Sequence, residues 1–193
     1  MSIDQIKKLR EETGISISEC KEALDNAQGD LEKAKDFLKK KGREIAASKS
    51  MRQASQGIVE SYIHANGKVG VLLELRCESD FVAKSNQFQE LARELTMQIA
   101  AMAPLYVSED NIPDEVVKKE KEIYQEQMKD SDKPAEIVDK IITGKLDKWY
   151  AEVTLLQQKW IKDDSKTIKN LIDDLVSQLG EKIEIGQFAR FEI

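Results

Sequence analysis

The residues best suited to act on another molecule are Cys77-Glu78-Ser79-Asp80-Phe81-Val82-Ala83-Lys84, which close an apolar strand and open a helix. That order sets an acid and an aromatic ring at a strand-to-helix turn, where a protein reaches into a partner. Covalent chemistry has little to work with elsewhere. One histidine, His64, and two cysteines far apart, Cys20 and Cys77, are too few soft ligands for a His/Cys zinc site, and no Gly-rich phosphate loop occurs. Carboxylates are abundant, but they stand mostly in mixed runs such as Lys118-Lys119-Glu120-Lys121-Glu122, the pattern of a solvated helix face. His64, next to a tight hairpin end, reads as a solvated strand residue. No catalytic residue, metal ligand or cofactor site is therefore assigned, and no nucleophile-base spacing supports an enzyme.

The elements that must position this turn divide the chain of 193 residues into three parts. Residues 1–40 read as three short helices. Ser2-Ile3-Asp4-Gln5 and Ser16-Ile17-Ser18-Glu19 match the capping box, Gly14 and Gly29 mark turns, and Ile3, Ile6 and Leu9 recur at helical spacing. So do Cys20, Ala23, Leu24 and Ala27, then Leu31, Ala34, Phe37 and Leu38. A bundle this small buries little area, and it resembles ubiquitin-associated-type bundles used for docking. Residues 41–56, with Lys39-Lys40-Lys41-Gly42-Arg43 at their start, lack a sustained apolar stripe and read as a basic linker. A nucleic-acid arm is the sharper alternative, but no neighbouring aromatics offer stacking.

Residues 57–193 predict an α+β core. Ile58–His64 and Val69–Cys77 alternate with period two around Ala65-Asn66-Gly67-Lys68, a strong hairpin signal, over residues 57–77. Residues 182–193 place Ile183, Ile185, Ala189, Phe191 and Ile193 in one alternation, which completes a three-stranded antiparallel sheet. Between them, residues 80–180 are helical. An apolar stripe from Phe88 to Met102 ends at Pro104, and a polar helix runs from about Pro113 to Met128. A third helix covers Ile137 to Val153 with an interruption at Gly144, and a fourth covers Ile168 to Leu179. Trp149 and Trp160 read as packing anchors.

Net charge is -6 and the isoelectric point about 5.1, which disfavours direct nucleic-acid binding and suits a protein partner. No apolar run approaches the length of a membrane span, and Cys20 and Cys77 read as small buried hydrophobes, so a reducing cytoplasm is the expected setting.

Several stretches, in order, resemble the bacterial elongation factor Ts family over essentially the whole chain. They are Leu9-Arg10-Glu11-Glu12-Thr13-Gly14, Cys20-Lys21-Glu22-Ala23-Leu24, Gly29-Asp30-Leu31-Glu32-Lys33-Ala34, Tyr62-Ile63-His64, Glu78-Ser79-Asp80-Phe81-Val82-Ala83, Lys162-Asp163-Asp164 and Phe188-Ala189-Arg190-Phe191-Glu192. The resemblance implies a guanine nucleotide exchange factor without covalent chemistry, acting on the GTPase elongation factor Tu. It implies that Leu9, Arg10, Thr13 and Gly14 of the bundle dock on the GTPase. Ser79, Asp80, Phe81 and Val82 would present a tip that disturbs the magnesium and phosphate site, so that GDP leaves. Ser79 stands where threonine is common and keeps the hydroxyl. The chain resembles the short form, for which a second copy is expected to complete the sheet. Ala189 stands where some short members carry cysteine, which leaves a non-covalent homodimer.

Two alternatives stay open at this point. Phe81 lies seven residues before Phe88, so periodicity alone makes it an extension of that helix's apolar stripe; the resemblance reverses that reading. A non-catalytic adaptor, binding through the bundle with the core as scaffold, is the alternative function.

Overall fold

The computed structural model describes residues 2–129, 131 and 133–193. Three helices come first, α1 (Ile3–Thr13), α2 (Ile17–Asn26) and α3 (Leu31–Lys49), followed by strands β1 (Gln56–Ile63) and β2 (Val69–Cys77). The short α4 (Asp80–Ala83) precedes α5 (Asn86–Met102), α6 (Asp114–Gln127) and α7 (Ala135–Val153). Strands β3 (Lys159–Trp160) and β4 (Asp163–Thr167), helix α8 (Ile168–Leu179) and strand β5 (Ile183–Glu192) complete the order. Strands β1, β2 and β5 form an antiparallel sheet in that order, and β3 pairs with β4. This is the α+β fold that the periodicities predict.

Local chemistry accounts for the ends of these elements. The Ser2 and Ser16 hydroxyls accept from the amides of Gln5 and Glu19, and Asp30 accepts from those of Glu32 and Lys33. Helix α1 ends at Gly14, whose left-handed φ of 68° lets its N–H reach the Arg10 carbonyl. At the end of α5, Ala103 takes a left-handed φ of 45° and its N–H reaches the Ile99 carbonyl at 3.0 Å, and Pro104 follows where the helix cannot continue.

The chain falls into two compact units. The first takes the chain up to Glu60, Glu74–Ala92 and Asn170–Gly186. Within it Leu9, Ile15, Cys20, Ala23, Leu24, Ala34 and Leu38 form the core of the three-helix bundle, and Leu75, Cys77, Phe88, Leu91, Val176 and Ile183 are buried as well. The second unit takes Ser61–Leu73, Arg93–Lys169 and Gln187–Ile193. Val71, Leu73, Leu95, Ile99, Leu155 and Ile168 are buried in it, with two glutamine side chains among them. Gln98 Nε2 donates to Gln158 Oε1 and to the Lys159 carbonyl, its Oε1 accepts from the Ile161 amide, and Gln158 Nε2 donates to the Glu152 carbonyl. Each buried amide group thus finds the partner its burial demands.

Four expectations change. Residues 41–49, expected as the start of a linker, continue α3. The stripe passes from Leu38 through Gly42, Ile45 and Ala46, and Gly42 is buried where a Cβ would lie 3.3 Å from the Ser177 Cβ. Close approach at a glycine carries the contact, so a count of large apolar residues misses it. Gly144 does not interrupt α7, which runs unbroken. The alternation along β5 changes phase: Ile183 and Ile185 are buried, whereas Ala189, Phe191 and Ile193 are exposed and Phe188 and Arg190 half-buried. Odd-numbered residues of one strand share a face, and along β5 that face is covered at Ile183 and Ile185 and open to solvent from Gln187 onward. The β3–β4 pair, finally, lies where no strand was expected.

Gly144 stands exposed inside α7 with nothing within 4 Å of an added Cβ. Gly144→Ala is expected to raise stability by about 0.5–1 kcal/mol, read as a higher urea midpoint at unchanged slope. A lower midpoint would show that the backbone there is not ordinary helix.

Candidate functional site

Strand β2 ends at Cys77 because the next residues are committed to a helix start. Ser79 is the N-cap of α4, extended at φ −125° and ψ 157°, and its hydroxyl accepts from the Val82 amide at 3.3 Å. Four residues cannot sustain a helix alone, so the turn is held from outside. The Ser79 hydroxyl donates to Glu181 Oε1 at 2.6 Å, and the Ser79 amide donates to Glu181 Oε2 at 3.0 Å. One residue earlier the arrangement is reversed: Glu78 Oε1 accepts from the Lys182 amide at 2.6 Å, and Arg52 stands 3.3 Å from the same carboxylate. The Cys77 thiol donates to the Ser79 carbonyl at 3.1 Å.

The result is a rigid base under an exposed tip. Phe81 is 83% exposed and Asp80 is exposed, while Val82 is half-buried and Ala83 buried. Phe81 therefore does not extend the stripe of α5; a break at Lys84-Ser85 separates the two helices, and Ser85 caps the second by accepting from the Phe88 amide at 3.3 Å. Lys84 Nζ donates to Asp80 Oδ2 at 2.7 Å. That ammonium holds the Asp80 carboxyl below its ordinary range, and the Lys182 amide, with Arg52 beside it, does the same for Glu78.

The four candidates of the bundle are placed differently. Leu9 is fully buried in the bundle core, so its side chain supports the helix surface from below. Arg10, next to it, is exposed. Thr13 donates its hydroxyl to the Leu9 carbonyl at 2.7 Å, and its own carbonyl accepts from Gln178 Nε2 at 2.8 Å. A Cβ at Gly14 would lie 3.2 Å from the Gln178 amide. Gln178 also accepts from Gln87 at 3.1 Å, so one amide joins the end of α1, the start of α5 and α8.

Sequence reasoning missed Glu181 and Gln178, and it gave Glu78 and Lys84, which stand within the motif, no part of their own. Lys84 stands four residues after Asp80 and was open to the helix-pair rule. Glu181 and Gln178 bond to residues 102 and 165 positions away, and no local pattern encodes that. Among the described residues, no group of three or more His, Cys, Asp or Glu side chains could hold a metal ion, and no helix is long and apolar enough to cross a membrane.

A family model described as Elongation factor TS matches residues 7–193. The elongation factor Ts of Thermotoga petrophila is 51% identical over 193 residues, which is 100% of this chain and 96% of that protein. Those of Coprothermobacter proteolyticus and Fervidobacterium nodosum are 50% and 48% identical over 193 residues, each with 100% of this chain and 98% of the relative covered. Fold and comparisons together define the class: a translation elongation factor. The chain belongs to the elongation factor Ts family.

The depressed Asp80 value has a definite sign. Whatever stability the carboxylate lends is present at neutral pH and lost as pH falls through its folded value, and the amount is small because both partners are exposed. Lys84→Ala is expected to move the Asp80 titration upward, toward an ordinary aspartate, in side-chain NMR. An unmoved titration would remove Lys84 as the cause.

Proposed function

We propose that this protein catalyses release of GDP from elongation factor Tu by inserting the Asp80-Phe81 tip near the magnesium and phosphate site of the bound nucleotide. The observation that carries the reading is a large aromatic side chain held almost fully in water on a braced turn. Exposing such a ring forgoes roughly 2 kcal/mol of burial, which suits a side chain that finds its apolar surroundings on a partner. Magnesium and the phosphate-cradling backbone anchor the nucleotide electrostatically, so displacing them weakens its hold without any bond being made or broken. Linkage then requires the factor to bind the GDP-loaded GTPase more weakly than the empty one by the same ratio, and incoming nucleotide expels it. Residues 1–40 act as the docking bundle, with Arg10 its exposed contact, and the cytoplasm is the compartment where such a partner is met.

Stopped-flow release of a fluorescent GDP analogue tests the reading. Phe81→Ala is expected to slow factor-stimulated release at least about tenfold, or 1.4 kcal/mol, while stability moves by less than about 0.5 kcal/mol. Unchanged release would sink the tip mechanism, and binding of the GTPase without any acceleration by the intact protein would favour a non-catalytic adaptor.

A second copy of the chain is a further proposed partner. The strand ends of the second unit leave Ile63, Leu72, Phe191 and Ile193 exposed, an apolar set that a non-covalent homodimer would cover. Light scattering should then return twice the chain mass of 21.9 kDa at micromolar concentration. A single species at the monomer mass would rule the dimer out.

A further inference from the structure

We propose that Glu181 is a positioning residue for exchange, acting through Phe81; the inference rests on the tip mechanism above and assigns it a part outside the tip. The Phe81 ring stands in water, so nothing at its far end fixes its direction. Its bearing is inherited from the backbone of residues 79–83, and the N-cap sets that backbone.

Glu181 grips the cap itself. Both carboxylate oxygens accept from Ser79, one from the amide and one from the hydroxyl. A hydroxyl has one proton to give. Committing it to Glu181 turns the oxygen lone pairs toward the Val82 amide, whose bond closes the first turn of α4. The Glu78 carboxylate on the Lys182 amide repeats the link in the opposite sense, so the β2–α4 turn and the α8–β5 turn are tied by side chains running both ways. Of these links, the one through Glu181 reaches the residue that starts the tip helix. Loss of its carboxylate leaves β2 and α5 in place and frees the turn between them.

The arrangement also sets what a substitute can do. An ionised carboxylate accepts at both oxygens, whereas glutamine accepts at one and donates at the other. Glu181→Gln therefore keeps one bond in its present direction and must reverse the second; Glu181→Ala loses both.

The test compares the intact protein, Glu181→Gln, Glu181→Ala, Phe81→Ala and the Glu181→Ala/Phe81→Ala double variant in release of a fluorescent GDP analogue from elongation factor Tu at saturating factor. Expected are an approximately tenfold slower limiting rate for Glu181→Ala, an intermediate rate for Glu181→Gln, and a double variant no slower than Phe81→Ala alone, because Glu181 has nothing to position once the ring is gone. Hydrogen exchange on the free proteins supplies an independent reading. In Glu181→Ala the Val82 and Ala83 amides should lose protection about tenfold or more while the Leu95 and Ile99 amides keep theirs, which also establishes that the variant is folded. Unchanged protection at Val82 and Ala83, or a Glu181 effect of full size in the Phe81→Ala background, overturns the positioning role while leaving the tip mechanism standing. Wild-type release by Phe81→Ala removes the tip mechanism, and the role of Glu181 in exchange with it, whatever the exchange data show.

Discussion

A single turn of helix cannot hold its own shape in water, because fixing its backbone costs more than its one or two internal hydrogen bonds return. Helix α4 is such a turn, and much of the first unit follows from that constraint. Strand β2 delivers the chain to the turn with Leu75 and Cys77 buried, and α5 carries it away with Phe88 and Leu91 buried. The remaining degrees of freedom are removed by charge-assisted bonds to the α8–β5 turn, which are shorter and stronger than neutral ones. Lys49 adds to that turn by donating to the Gly180 carbonyl, and Arg52 by pairing with Glu78. Thus α3, which a sequence reading ends near residue 40, matters for its last two turns.

What the sequence makes legible is whatever local spacing encodes. Asn66-Gly67 between two alternating runs predicts the hairpin, and the Ile168-to-Leu179 stripe before Gly180 predicts α8, both observed. Ser2 and Ser16 announce two helix starts through the same chemistry that caps them. Illegible parts fail for two physical reasons. Some contacts are made by the absence of a side chain, as at Gly42 against Ser177, and no hydrophobic pattern records an absence. Others are polar and distant: Gln98 and Gln158 are buried because they satisfy each other and the backbone around Lys159 and Ile161, a pairing across 60 positions that makes each residue look like surface when met alone.

The candidate site shows the same division. Asp80 and Phe81 are visible as a motif, yet periodicity by itself assigns Phe81 to the core, since seven residues is two helical turns. The error lies in assuming that one helix spans both phenylalanines. Ser79 and Ser85 each cap a separate helix start, and two caps six residues apart require a break between them. The cap residues, more than the apolar ones, decide whether the ring points inward or outward.

Stiffness at the base of an exposed ring has a thermodynamic consequence under the proposed exchange role. A tip that ordered only on contact would spend part of its binding free energy on its own conformational entropy, and that part would be unavailable to displace the nucleotide. Bracing the turn in the free protein moves this cost into folding, where the cores of the bundle and of the first unit offset it. The brace must act without covering the ring, so it approaches from the backbone side, through the cap and the residue before it, and leaves Asp80 and Phe81 to the partner. Asp80 keeps a countercharge in Lys84 that is itself exposed, so a competing cation or amide on the partner can take its place at little cost. A wedge built this way is rigid where force must pass and replaceable where contact must be made.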